Sequence, residues 1–187
     1  MSEERLRQFV DSVSKLRGVN YVAAGSEGLP YLVQGTEREN AEYVAAVASS
    51  LYNSINDLTT LLDLGKEVWS KVYYPEDYRM LLFEYDNLTV AIKYEFVLEK
   101  IVETLVDNLK KGVEVKCPHC GRDLTFEVVR CPKCGARVPF TEPTCWSCGA
   151  DLRLKECPYC HGLTFHDGKK PSFITVLIYK IKKIFGG

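Results

Sequence analysis

Apolar residues recur at helical spacing over residues 4–16, where Leu6, Phe9, Val10, Val13 and Leu16 form one stripe and Gly18 offers a stop. Residues 19–24 and 29–34 read as two strands of a hairpin turning through Gly25, Ser26, Glu27 and Gly28. Thr36 followed by Glu39 has capping-box spacing and opens a long helix to about residue 62. Val44, Val47, Leu51, Ile55, Leu58 and Leu62 run down this helix in steps of three and four. Its first half is small: Ala41, Ala45, Ala46, Ala48, Ser49 and Ser50. Small side chains let another backbone come close. The pattern leaves two readings open, a helix lying flat on a sheet and a helix that also meets its copy in a second subunit. Residues 67–74 alternate and are β-branched and aromatic, a strand closed by Pro75; residues 79–85 and 88–94 are two more. Asp86 and Asn87 between them both tolerate the positive φ of a two-residue hairpin turn. Leu81, Phe83 and Tyr85 oppose Met80 and Leu82 along one strand, so both sheet faces should be covered. A last helix over 95–111 carries Val97, Ile101, Leu105 and Leu109 on one face and stops at Gly112. The order αββαβββα predicts an α+β domain over residues 1–112, with helices on both faces of an antiparallel sheet.

Beyond residue 112 this periodicity ends, and all eight cysteines follow as four C-x-x-C pairs: Cys117/Cys120, Cys131/Cys134, Cys145/Cys148 and Cys157/Cys160. One such turn supplies two thiolates, and two turns complete a closed tetrahedral S4 shell, so the expectation is two structural zinc ions with no sulfur left over. Cys117-Pro118-His119-Cys120-Gly121 and Cys131-Pro132-Lys133-Cys134-Gly135 repeat one pattern. The proline fixes φ and the glycine can take positive φ, which aims backbone N–H groups at sulfur. The third turn keeps its glycine at Gly149; in the fourth the glycine slips one place, to Gly162. Leu124, Val138 and Leu152 follow three of the turns at a fixed distance. Sequential pairing, first turn with second and third with fourth, is the expected arrangement, with 124–130 and 152–156 as hairpin segments; a crossed pairing is the alternative. A thioredoxin-like motif would need a βαβ setting, and iron–sulfur ligation a different spacing. His119, His161 and His166 are expected at the surface. The module spans residues 113–168.

Lys169, Lys170 and Pro171 break the chain before a tail, residues 169–187. Residues 173–179 could be a strand. As a helix over 173–185, Phe173, Ile174, Leu177, Ile178, Ile181, Ile184 and Phe185 share one wide face, Thr175, Tyr179, Lys182 and Lys183 the other, and Lys180 the border. That is the pattern of an in-plane membrane helix, and equally of a helix docking on a partner or back on its own domain.

Net charge is −1, and only its distribution changes the picture. Residues 1–116 carry 13 Lys+Arg and 19 Asp+Glu, residues 117–171 carry 8 and 6, and the tail beyond has three lysines and no acid. Four thiolates on a divalent ion leave about −2 per centre, so two centres bring the module from +2 to about −2. Nucleic acid is therefore not the expected partner. The alternative, a zinc-ribbon protein bound to nucleic acid or the ribosome, would use Arg122, Arg130, Lys133, Arg137 and Arg153, with Trp146 and Tyr159 stacking. There is no G-x-x-x-x-G-K-[ST] loop and no G-x-S-x-G elbow, and no histidine precedes His119. A saturated S4 zinc has no position for water. The expectation is a protein that is not an enzyme, with no catalytic or cofactor-binding residues beyond the zinc ligands. A charged start with no apolar core after it, and reduced cysteines, point to the cytoplasm, with peripheral membrane contact as a further reading.

Residues 4–112 resemble the Roadblock/dynein light-chain family in their element order, Gly25-x-x-Gly28 hairpin, small-residue helix and three-strand meander. The resemblance implies a five-stranded antiparallel sheet and a dimer, of two copies or with a Roadblock-like paralogue, joined through the long helix, residues 40–62, and the strand over 67–74. Under it Ala45, Ala48, Ser49 and Trp69 become interface residues. Family members commonly serve as platforms for Ras-like small GTPases, so the implied function is a non-catalytic scaffold or regulator of such a GTPase, with the zinc ribbons as a further protein-interaction surface. A membrane-associated adaptor acting through the tail is the other alternative.

Overall fold

The structure is a computed structural model that describes residues 2–63 and 69–185. It divides into two compact units, Met1–Glu103 and Thr104–Gly187.

The first unit opens with α1 (Ser2–Ser14), β1 (Val19–Ser26), β2 (Leu29–Gly35), α2 (Arg38–Leu61), β3 (Ser70–Tyr73), β4 (Tyr78–Tyr85) and β5 (Leu88–Glu95). A 3-10 turn over Phe96–Leu98 then leads into α3 (Glu99–Lys110). The order is the expected αββαβββα, and the strands form one antiparallel sheet in the order β2-β1-β5-β4-β3. Alternation assigns the faces. Tyr21, Ala23, Met80, Leu82 and Ala91 point to α2 and pack on Ala41, Ala45, Ala48 and Tyr52. The opposite face carries Phe83, whose ring meets Phe9 of α1 edge-on at 6.2 Å. Lys71, opposite Leu81 in register, reaches Glu99 and Glu103 at the start of α3, which places that turn on the α1 side.

Several details differ from expectation for identifiable reasons. β1 runs to Ser26, so the turn is only Glu27-Gly28, at φ 49° and 82°. Thr36 does not cap α2; its hydroxyl donates to the Asn20 carbonyl. Glu37 stands at the N-cap without a side-chain cap and instead takes Lys93 at 2.8 Å. Asp86 and Asn87 do form the positive-φ turn, at 53° and 63°. The expected strand over 67–74 begins at Ser70; Glu67 and Val68 lie outside the described residues.

The second unit holds the end of α3 and the cysteine module. In it β6 (Val128–Arg130) pairs with β7 (Arg137–Pro139), β8 (Leu154–Glu156) pairs with β9 (Leu163–Phe165), and α4 spans Phe173–Phe185. The tail is thus a helix and not a strand. The side-chain amide of buried Asn108, in the last turns of α3, donates to the Thr125 carbonyl and to Thr141 Oγ1 at 2.9 Å, and the Asn108 backbone carbonyl accepts from the Val113 amide. Among the described residues no helix is long and apolar enough to cross a membrane.

Candidate metal centres

All four cysteine turns are built alike. The residue before the first cysteine pairs antiparallel with the third residue after the second: Lys116 with Asp123, Arg130 with Arg137, Thr144 with Asp151, and Glu156 with Leu163. In each, the first cysteine's carbonyl accepts from the residue just after the second cysteine: Gly121, Gly135, Gly149 and His161. That residue sits in the left-handed region, at φ 73°, 75°, 68° and 58°. The glycine of the fourth turn has therefore not taken over the conformation; His161 bears it.

Gly162 is small for another reason. A Cβ there would lie 2.6 Å from Cδ2 of His119, whose Nε2 is 3.0 Å from the Leu163 carbonyl oxygen. Left-handed backbone costs an L-residue roughly 1–2 kcal/mol and glycine almost nothing. His161→Gly is expected to raise the module's unfolding free energy by about 1 kcal/mol. Gly162→Ala, which displaces His119, should lower it. Denaturant titration of the metal-loaded protein measures both.

The turns assemble into two sets, Cys117/Cys120/Cys157/Cys160 and Cys131/Cys134/Cys145/Cys148, the sulfur atoms of each within 4.8 Å of one another. This overturns sequential pairing: the first turn meets the fourth, and the second and third nest inside. The hairpins change accordingly. Each strand pair flanks a single turn, β6–β7 around Cys131/Cys134 and β8–β9 around Cys157/Cys160, and neither joins two turns.

Sulfur separations across the sets are 3.6 Å for Cys117–Cys160, 3.9 Å for Cys120–Cys157, and 3.7 Å for both Cys131–Cys148 and Cys134–Cys145. A tetrahedron with metal–sulfur bonds of about 2.3 Å has edges of about 3.8 Å. A disulfide would need about 2.05 Å. The donor set and its spacing suit zinc, and both groups could hold an ion.

Protonation supports the same reading. Burial works against ionising Cys117, yet the amides of His119 and Cys120 and the Thr164 hydroxyl bring its pKa down to about 6. The Ala136 amide draws Cys134 down to about 7. The Ala150 amide favours the Cys148 thiolate and the Gly162 amide that of Cys160, but burial and the neighbouring sulfurs push both up to about 12. Four thiolates at these separations repel one another, and a divalent cation removes the repulsion.

The first cysteine of each pair is buried, and each set rests on its own apolar floor. Val115, Leu124 and Phe140 lie beneath the outer set, Val138 and Leu152 beneath the inner. The fourth turn has Thr164 where the others have Leu124, Val138 and Leu152. It is fully buried, and its hydroxyl is 3.8 Å from Cys117 Sγ. Lys155 of β8 is also buried, where its ammonium donates to the carbonyls of Pro139, Phe140 and Glu142; burial pushes its pKa down to about 8. It fastens the segment between the inner turns to the outer hairpin. Neither role was expected. The place of Thr164 in the repeat was a usable signal, whereas nothing local distinguishes Lys155 from a solvated lysine.

The other singled-out residues fall as follows. His119 and His161 are exposed as expected, while His166 is half-buried. Arg122 stacks over Tyr159 at 4.3 Å and the Tyr159 hydroxyl donates to Glu127, so one aromatic expected to stack on a base already has a protein partner. Arg153 pairs with Asp151 at 2.6 Å, and Trp146 packs against the inner core. In the first unit Ala45, Ala48 and Ser49 are buried within the chain itself, and Trp69 is half-buried before β3. What α2 exposes is a stripe of Tyr43, Val47, Leu51 and Leu58.

No family model and no curated protein matches the chain. Among solved structures, the crystal structure of a Roadblock/LC7 domain from Streptomyces avermitilis is similar over 57% of this chain and 92% of that one, at 18% sequence identity and a TM-score of 0.43.

Proposed function

We propose that this chain is a non-catalytic scaffold that pairs through α2 and β3 and docks a Ras-like small GTPase, with two structural zinc ions shaping a second contact surface. The observation that carries the pairing is the stripe Tyr43, Val47, Leu51 and Leu58, left exposed on the side of α2 away from its sheet. A solvated helix face has no use for four large apolar residues in register. β3 is an edge strand, and Val72 on it packs into the cluster beneath α2, so helix and open edge lie side by side. A second copy could cover both at once. The GTPase half rests on the family resemblance of residues 4–112.

Light scattering on the purified protein is expected to give the mass of two chains, and Leu51→Glu with Leu58→Glu to halve it. A monomer before substitution would sink the pairing. The GTPase half is tested by adding cytoplasmic Ras-like GTPases in GDP and GTP states; no binding and no change in hydrolysis across the set would remove it and leave the pairing standing.

A further inference from the structure

The helix α4 is turned inside out relative to an ordinary surface helix. Its half-buried residues are Thr175, Val176 and Tyr179; Thr175, Ile178 and Tyr179 line one groove with Leu152, Leu154 and Phe165 of the cysteine module, and Phe173, Val176 and Lys180 line another with His161 and Leu163. Its exposed residues are the large apolar ones: Phe173 is 82% and Ile174 68% exposed, and Leu177, Ile178 and Ile181 each close to half. At roughly 100° per residue these five positions fill one arc, directly opposite Thr175, Val176 and Tyr179. Burial of apolar surface is the largest favourable contribution available to such a helix. Had covering the module been its whole role, the apolar arc would face inward. Phe173 and Ile178, at the two edges of the arc, line those grooves, but most of the arc faces outward, which calls for an apolar medium outside the protein.

Charge identifies that medium. Residues 168–187 carry no acid, while Lys180, Lys182 and Lys183 lie within the helix. Lys180 falls on a border of the apolar arc, where its stem can run along hydrocarbon and place its ammonium group among headgroups, and position 182 lies on the polar face next to the arc's other edge. A protein groove would ask for specific partners along the lysine rows; a phosphate-bearing surface asks only for positive charge at the rim. With 13 residues, α4 is too short to span a bilayer.

We propose that α4 is an in-plane membrane helix that inserts its Phe173–Ile181 arc into the interfacial layer of a bilayer containing anionic lipids and holds the chain at that surface. The test is flotation of the full metal-loaded chain with phosphatidylcholine vesicles, with and without about 30% phosphatidylserine. Binding is expected to the anionic vesicles and to weaken with added salt. Ile178→Glu should lower the partition coefficient at least about tenfold, and Lys180→Ala and Lys182→Ala about fivefold each.

These positions are exposed or at the helix end, and unchanged metal content certifies that each variant is folded. No binding to anionic vesicles, or binding untouched by Ile178→Glu, would overturn the proposal. So would a mass in solution that halves on Ile178→Glu, since the arc would then belong to a second copy. Leu51→Glu with Leu58→Glu is expected to leave partitioning per chain within about a factor of two, which separates this test from that of pairing through α2.

Discussion

Cys117→Ser combined with Cys157→Ser is expected to leave one zinc ion per chain, and Cys117→Ser combined with Cys131→Ser to leave none. The first pair of substitutions removes two ligands from a single set and spares Cys131, Cys134, Cys145 and Cys148; the second removes one ligand from each set. Sequential pairing gives the reverse result, one ion for Cys117/Cys131 and none for Cys117/Cys157. Counting metal in purified protein by mass spectrometry therefore decides the topology, whatever either variant does to stability. The effect should be the largest available in this chain. A structural zinc contributes about 10–16 kcal/mol of apparent binding free energy at neutral pH, more than a small module has in total folding stability. The inner set should survive loss of the outer because Val138, Leu152 and Trp146 close around it from a short stretch of chain. The outer set must close the longer loop, which costs about 1 kcal/mol more in chain entropy, and it loses its shape when the inner hairpin melts. An excess of chelator is expected to unfold the whole cysteine module, and acid to assist, because each ligand must be deprotonated to bind.

The sequence displayed all eight cysteines as four turns and concealed their partnership, and the geometry explains why. Every turn closes through the same local bonds, Cys117 N–H to Arg122 carbonyl, Cys131 to Ala136, Cys145 to Ala150 and Cys157 to Gly162. Local residue choice thus specifies a turn and carries no information about which turn it faces. Partnership is written in contacts between distant segments: His119 lying over Gly162, Thr164 against Cys117, Lys155 reaching the carbonyls of Pro139 to Glu142. Two of these left a trace in the fourth turn, as a displaced glycine and a threonine in an apolar column, but only the turn's own pattern gave them meaning. The first unit was more legible because its elements are long. Eight-residue strands and a 24-residue helix repeat their period often enough to be read. Element ends were less so, as at Thr36, where a cap-like side chain found the Asn20 carbonyl instead. For α4 the periodicity gave the two faces, while their orientation depended on what the module offered to cover.

Gly25→Ala is expected to destabilise the first unit by about 3 kcal/mol, a fall of roughly 15 °C in its unfolding temperature. The reason settles what the small residues of α2 are for. A Cβ at Gly25 would stand 2.4 Å from the Ala45 carbonyl oxygen and 2.8 Å from the Leu29 carbonyl oxygen. Both are backbone atoms that no rotamer change can move, so α2 would have to lift from the sheet along Ala41, Ala45 and Ala48, all now buried. Of the two readings open for that run, the helix lying flat on its own sheet accounts for its composition, since the alanines bring the helix backbone down onto a glycine in β1. Gly112→Ala is the control. Gly112 also has positive φ, 67°, but a Cβ there meets nothing within 4 Å. It should lose only about 1 kcal/mol, from backbone strain alone. Calorimetry on the two variants separates steric exclusion from conformational preference. If Gly25→Ala cost no more than Gly112→Ala, the close approach of α2 would not be what those alanines serve, and their smallness would have to be assigned to a contact outside the chain.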